Sequence, residues 1–291
     1  MPHEPVTYTY RTVSGHPLRA DVFRPIGAGP CPALLWLHGG ALIFGSRKTV
    51  RPWQVRRYLE AGYAVVCPDY RLAPESKLPE IADDVLTAWA WTREGVPDLD
   101  PERLAVIGHS AGGYLALLLG TTTHPAPRAV VSFYGYGDIV ADWYTRPDPH
   151  YLTFPRVTEE KARSLVGSAP ISEGPPERFE FYLYCRQQGA WPQEVGGRDP
   201  KADAEFFRRY CPLRNVTSGA SPTLLLHGDA DTDVPYGQSL AMHQELARQG
   251  VETEMVTLEG GGHGFDRDGD DPHTLRAFDA VLDFLAAHLR P

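Results

Sequence analysis

The chain lacks what would direct it to a membrane, a disulfide-built scaffold or a nucleic acid. No apolar run approaches the ~18 residues of a bilayer crossing, so no membrane span is expected. The start, Met1-Pro-His-Glu-Pro, has neither a basic nor an apolar segment, which argues against a secretory leader. Cysteines are scarce. The four, at 31, 67, 185 and 211, show neither disulfide-framework nor zinc-ligand spacing. They read as free thiols and suit a cytoplasmic protein. A net charge of −9 argues against nucleic acid or an anionic membrane surface as a partner. Residues 266–271 (Asp-Arg-Asp-Gly-Asp-Asp) suggest a calcium loop, but the sixth place lacks glycine and Ala277 fills the twelfth. They read as a solvated acidic lead-in to the last helix, and no metal or cofactor is expected.

What is present is enough for one large domain: 291 residues, 42% of them hydrophobic, with no internal repeat. Residues 6–13 and 18–23 read as a β pair around Ser14-Gly15. Strands follow at 31–37, 63–68, 103–107, 128–134, 221–227 and 252–258, and several are near-continuous apolar runs, as in a sheet buried on both faces. Helical patterns at 51–61, 79–94, 114–120 and 272–289 separate them. Such alternation predicts an α/β fold, a doubly wound and mostly parallel sheet with helices on both faces.

The most informative run is Ile107-Gly108-His109-Ser110-Ala111-Gly112-Gly113. A strand ends there in a turn where glycines 108 and 112 and Ala111 minimise side-chain bulk, and an apolar helix follows at once. That geometry lifts the Ser110 hydroxyl above the sheet. A Gly-x-Ser-x-Gly pattern alone would arise by chance in about one such chain in ten, so its partners decide. A serine needs a base to take its proton and a third group to orient that base. After the strand 221–227 comes a loop with Asp229, Asp231 and Asp233; after the strand 252–258 comes a Gly-rich loop with His263. Asp138, one strand earlier, is a rival for the acid role. Among eleven histidines, His263 alone occupies a Gly-rich loop after the last strand. His109 is expected to pack or support the site, His227 to be structural, and His273 and His288 to lie at the surface. The strand 31–37 ends in His38-Gly39-Gly40-Ala41. Backbone N–H groups of Gly39, Gly40 and Ala111 are the candidate donors to an oxyanion, where one donor is worth about 3 kcal/mol.

These motifs resemble the esterase/lipase group of α/β-hydrolases related to hormone-sensitive lipase and to feruloyl-esterase-like enzymes. The residues that carry the resemblance are His38-Gly39-Gly40, Asp69-Tyr70-Arg71-Leu72-Ala73-Pro74-Glu75, Gly108-His109-Ser110-Ala111-Gly112-Gly113, His227-Gly228-x-x-Asp231 and His263-Gly264-Phe265. It implies the α/β-hydrolase fold and a serine carboxylic-ester hydrolase with the catalytic residues Ser110, Asp231 and His263. Asp231 is preferred because such hydrolases space their acid as His-Gly-x-x-Asp-x-x-Val, here His227 to Val234. Asp229 and Asp233 are then expected to cap the loop or the next helix. Arg71 is expected to pair with Glu75, Asp83 or Asp84. Two departures stand out. Ala41 takes the third glycine position of the usual His-Gly-Gly-Gly, and the short N-terminal segment reads as β rather than as a helical cap. The family's dimers, through an edge strand or the last helix, leave a homodimer open.

Between the strand ending near Tyr134 and the one starting near Pro222 the connection is too long for an ordinary loop. Residues 136–215 are read as a cap over the nucleophile, on a core of 1–135 and 216–291. Helical patterns occur at 158–166, 176–188 and 201–210. The aromatics Tyr136, Trp143, Tyr144, Tyr151 and Phe154 open the segment. One reading makes them the cap's own small core. The other places Tyr136, Trp143 and Tyr144 against substrate, which favours a small to medium apolar or aromatic ester. Amide, lactone or small-peptide hydrolysis uses the same machinery, although a prolyl-oligopeptidase-like enzyme normally adds a propeller for which 291 residues leave no room. A ligand-binding pseudo-hydrolase is the remaining alternative.

Overall fold

The computed structural model describes residues 4–27 and 29–289; Met1 to His3, on which the expectation about a leader partly rests, lie outside them. Its strands are β1 (Val6–Val13), β2 (His16–Phe23), β3 (Cys31–Leu37), β4 (Ala64–Pro68), β5 (Leu99–His109), β6 (Val130–Phe133), β7 (Thr223–Gly228) and β8 (Thr253–Leu258). They form one sheet in the order β1-β2-β4-β3-β5-β6-β7-β8. β1 and β2 are antiparallel to their neighbours, and the other six run parallel. Strands β4, β6 and β7 are buried along their whole length, which is why they read as unbroken apolar runs.

Helices cover both faces. On one side lie α1 (Pro52–Glu60) and α10 (Pro272–Leu289), packed through Tyr58, Phe278, Val281 and Leu285. On the other lie α2 (Leu78–Glu94), α3 (Ala111–Thr122) and α9 (Gly237–Arg248), through Ile81, Val85, Leu115 and Met242. Helix α3 is buried from Ala111 through Gly120, so it is apolar all round. Arg71 chooses Asp84 among its three candidates, with Nε 2.6 Å and Nη2 3.0 Å from the two carboxylate oxygens, and adds Glu80. Asp83 pairs with Arg11 and Glu75 with Arg178.

Between β6 and β7 the chain forms five short helices: α4 (Asp142–Thr145), α5 (Glu159–Ser164), α6 (Phe179–Gln188), α7 (Trp191–Gly196) and α8 (Ala204–Arg208). The expected patterns at 158–166, 176–188 and 201–210 contain α5, α6 and α8; α4 and α7 lie outside them. α6 stops because Gly189 takes a left-handed conformation (φ 65°), and Pro192 in a first turn starts α7. The insertion does not enclose a core of its own. Tyr144, Tyr151, Phe181, Trp191 and Phe207 belong to the same apolar cluster as Tyr114 and Leu115 of α3.

Parallel strands place their carboxyl ends on one edge of the sheet. The loops after β3, β5, β7 and β8 carry Gly39, Ser110, Asp231 and His263, so topology brings these distant residues to that edge.

Candidate active site

The turn after β5 is strained. Ser110 adopts φ 56° and ψ −118°, a conformation that costs a side-chain-bearing residue roughly 1–3 kcal/mol. Its N–H donates to the Phe133 carbonyl (2.9 Å), which locks the elbow to β6. A Cβ on Gly112 would fall 2.0 Å from the Leu37 carbonyl oxygen, so only glycine lets α3 start this close to β3. Ala111 is the first residue of α3, and its N–H has no acceptor inside the helix.

The loop after β3 faces that elbow. Gly40, Ala41 and Leu42 all have left-handed φ (110°, 54° and 62°), and a Cβ on Gly40 would meet the Phe44 carbonyl at 2.0 Å. The third glycine position thus keeps its left-handed backbone although alanine occupies it. The insertion holds this loop from outside. Trp191 Nε1 donates to the Ala41 carbonyl (2.9 Å), Arg178 Nε to the Ile43 carbonyl (2.7 Å), and Gly45 and Gly174 exchange a backbone pair (3.0 and 2.9 Å). Trp191→Phe is therefore expected to leave the Ala41 carbonyl unsatisfied, loosen the loop and lower kcat roughly 10- to 100-fold with little change in KM. Steady-state kinetics with a thermal melt check this, and a full-strength kcat in the variant would show that the loop holds itself.

Ser110, His263 and Asp231 come together in hydrogen-bond order. His263 Nε2 lies 3.1 Å from Ser110 Oγ, and Nδ1 lies 2.8 Å from Asp231 Oδ2. The Asp231 side chain is fully buried, and its Oδ1 accepts the backbone N–H groups of Asp233 (2.8 Å) and Val234 (3.0 Å). Burial opposes its charge, but hydrogen bonds from His227 and His263 outweigh it and hold the carboxyl well below the usual carboxylate range. His227 is buried, with Nδ1 2.7 Å from Ser239 Oγ and Nε2 3.0 Å from the Val234 carbonyl, a loop-holding role. Burial also lowers the His263 pKa, yet the nearby charge of Asp233, then the bond to Asp231 and its charge, raise it above the ordinary histidine value.

A profile of the alpha/beta hydrolase fold matches residues 34–267, which contain every residue of this arrangement. The chain belongs to the α/β-hydrolase fold family. It falls in the esterase/lipase group that its motifs resemble. Among curated proteins it is similar to the non-reducing polyketide synthase trt4 of Aspergillus terreus, 28% identical over 97% of this chain and 14% of the synthase. The chain spans about 14% of the length of the curated relatives it matches first. Among solved structures it is similar to a Staphylococcus aureus protein of unknown function, with TM-score 0.82 at 22% identity over 98% of this chain and 100% of that one. It is also similar to the thermophilic esterase Est2 of Thermogutta terrifontis, with TM-score 0.71 at 20% identity over 99% and 94% of the two chains.

Of the rivals for each role in this hydrolase, Asp138, Asp229, His109, His273 and His288 make other contacts, whereas Asp233 lies 3.4 Å from His263 Nε2. Asp138 accepts from the Val140 N–H and from Arg214, and Asp229 ties its loop to the Gly260 N–H. His109 is buried and stacked on Phe133 at 4.4 Å, and burial keeps its pKa well below the ordinary value. His273 is exposed, whereas His288 is half-buried against Phe284.

Asp266 needs correction: it is not part of a solvated lead-in. It is 1% exposed, accepts from Gln54 and Tyr134 (both 2.6 Å), pairs with Arg51 and lies 3.0 Å from His109 Nε2. The loop folds inward there because Phe265 and Asp266 follow the histidine into the domain. Asp271 caps α10 at the Thr274 N–H. Among the described residues no cluster could hold a metal ion.

A cavity of about 340 Å³ opens at Ser110. Its apolar walls come from Trp36, Phe44, Tyr134, Phe179 and Tyr182, with Asp233, Arg51 and Arg267 on its polar side. Tyr136, Trp143 and Tyr144 are not among its lining residues, contrary to the expectation that they meet substrate. Tyr144 stacks on Trp191 at 4.1 Å, Trp143 on Tyr144 at 3.5 Å, and Tyr136 lies edge-on to both Trp143 and Tyr144. These rings face the domain core and the buried guanidinium of Arg186. The true wall residues, Phe44, Phe179 and Tyr182, carry no local pattern that marks them.

Proposed function

We propose that this hydrolase is a serine esterase acting on small to medium esters with apolar or aromatic groups. The observation that carries the reading is the continuous relay from Ser110 Oγ through His263 to Asp231. Ser110 Oγ attacks the ester carbonyl while His263 Nε2 takes its proton. Gly39, Gly40 and Ala111 N–H groups face the oxygen that gains charge. Asp231 keeps the Nδ1 proton in place and stabilises the imidazolium. His263 then passes the proton to the leaving alkoxide, and water activated by the same nitrogen releases the acid and restores Ser110. The related Est2 esterase has been solved phosphorylated by paraoxon, which supports organophosphate chemistry as a probe here.

The aromatic wall supports the substrate class. Phe44 meets Phe179 edge-on at 6.1 Å, and Tyr182 lies 6.2 Å from Phe44, so one side of the cavity is a ring surface. The test is fluorophosphonate labelling with turnover of p-nitrophenyl esters from acetate to decanoate, repeated in Phe179→Ala. We expect stoichiometric labelling, a preference for short chains, and a shift toward longer acyl groups in the variant of roughly 10-fold in relative kcat/KM. Labelling without ester turnover would favour an amide or lactone substrate. A folded protein that does not label would favour a binding role.

A further inference from the structure

The sequence suggests that Asp233 caps a loop or a helix, but the structure puts it in the site. Its Oδ2 lies 3.4 Å from His263 Nε2, the same nitrogen that faces Ser110 Oγ at 3.1 Å. Asp231 holds the opposite nitrogen, so the imidazole sits between two carboxylates. The other oxygen of Asp233 is held from the insertion. Tyr182 donates its hydroxyl to Oδ1 (2.5 Å), and Arg186 donates Nη1 to Oδ1 and to the Asp233 carbonyl (both 2.9 Å). Arg186 is itself 1% exposed, paired with Asp148 and surrounded by the rings of Trp143, Tyr144, Tyr151 and Tyr182 at 4.6–5.6 Å. A charge buried this deeply persists only with such partners.

We propose that Asp233 is a second carboxylate of the catalytic base, accepting a hydrogen bond from the His263 imidazolium at Nε2 while Ser110 Oγ is acylated. Tyr182 and Arg186 are positioning residues that set how much negative charge it presents. The proposal rests on the serine-esterase reading. The proton removed from Ser110 stays on Nε2, shared between Asp233 and the former seryl oxygen, and then goes to the leaving alkoxide; Asp233 itself gains no proton. Its neighbourhood strengthens His263 as a base and tempers it as an acid. This gives the aromatic residues around Arg186 a function at one remove: they fix the arginine that fixes the carboxylate.

The other charged and titratable groups near His263 define the comparison. Arg267, on the same loop, opposes protonation; Asp231 favours it; Tyr134 presents its ring edge at 4.6 Å; and His109 stays neutral. Arg51 lines the same cavity but is paired with Asp266. None of these changes in the variants proposed.

The test is the pH dependence of kcat/KM in wild type, Asp233→Asn and Tyr182→Phe, with the His263 ring titration followed by NMR in the absence of substrate. Asp233→Asn is expected to move the acid limb and the ring titration down by about one pH unit. Tyr182→Phe, by freeing charge on Asp233, is expected to move both up. Coincident titrations in all three proteins, or shifts of the same sign in both variants, would overturn the proposal. If Asp233→Asn does not fold, the sign of the Tyr182→Phe shift decides alone. Fluorophosphonate labelling separates the two levels: a wild type that labels keeps the serine reading whatever Asp233 does, and one that does not label overturns both.

Discussion

Ser110→Ala is expected to abolish fluorophosphonate labelling and to lower ester turnover by about 10⁴- to 10⁶-fold without unfolding the protein. The loss is large because, in the proposed serine mechanism, Oγ forms the covalent bond, and no other hydroxyl lies in hydrogen-bond contact with His263 Nε2 among the described residues. Stability should change little. Alanine keeps the Cβ that the φ of 56° already strains, and the hydrogen bond of the Ser110 N–H to Phe133 is backbone. Only a half-buried hydroxyl is removed, a change within about 1 kcal/mol. The remaining activity reports what the oxyanion loop and the cavity contribute alone. A variant that kept even a tenth of wild-type turnover, once contamination is excluded, would sink the serine mechanism.

The elbow was legible because its physics is local. Crowding between β5, β3 and α3 forces glycine at 108 and 112, so the requirement is written within a few neighbouring positions. The strands were legible for a related reason: burial on both faces removes the alternation that a half-exposed strand would show. His263 followed from the rule that catalytic loops leave the carboxyl ends of parallel strands; for the acid that rule left several aspartates open, and the family spacing His227-Gly228-x-x-Asp231 chose among them. None of these inferences needed to know how the insertion folds.

What depended on the insertion was not legible. Trp143 and Tyr144 have the same composition signal as residues that line a site, because aromatic density reports burial and not direction. In the structure they turn toward Trp191 and Arg186. Phe44 lies far in the chain from Phe179 and Tyr182 of α6, and they meet where Gly45 and Gly174 pair and Arg178 bridges to Ile43. Asp233 and Asp266 show the same limit for charge. Asp266 stands in an acidic run that suggests solvation and Asp233 in a loop that suggests a cap, yet a partner from a distant segment, Arg51 for the first and Arg186 for the second, draws each inward. Local sequence reveals a charge; the partner that makes its burial tolerable is a property of the fold.

Asp231→Asn is expected to lower kcat about 10⁴-fold, and the reason lies in which atoms its two oxygens serve. Oδ1 accepts two backbone N–H groups, from Asp233 and Val234, while Oδ2 accepts from His263 Nδ1. An asparagine has only one oxygen. Two fixed backbone donors claim it for the Oδ1 position, so the amide NH₂ must face His263. Nδ1 then becomes an acceptor, the ring proton moves to Nε2, and the nitrogen facing Ser110 can no longer take a proton. The fault is one of tautomer, with the side chains still in place. The NH₂ also faces His227 Nε2, now 3.2 Å from Oδ2, so some loss of thermal stability should accompany the loss of rate. Nitrogen-15 spectra of the histidine rings would show the tautomer directly, with the Nε2-protonated form replacing the Nδ1-protonated form at His263. A kcat within 10-fold of wild type would remove Asp231 from the acid role. Asp233→Asn would then be the variant to examine, because its carboxylate is the other one in contact with the ring.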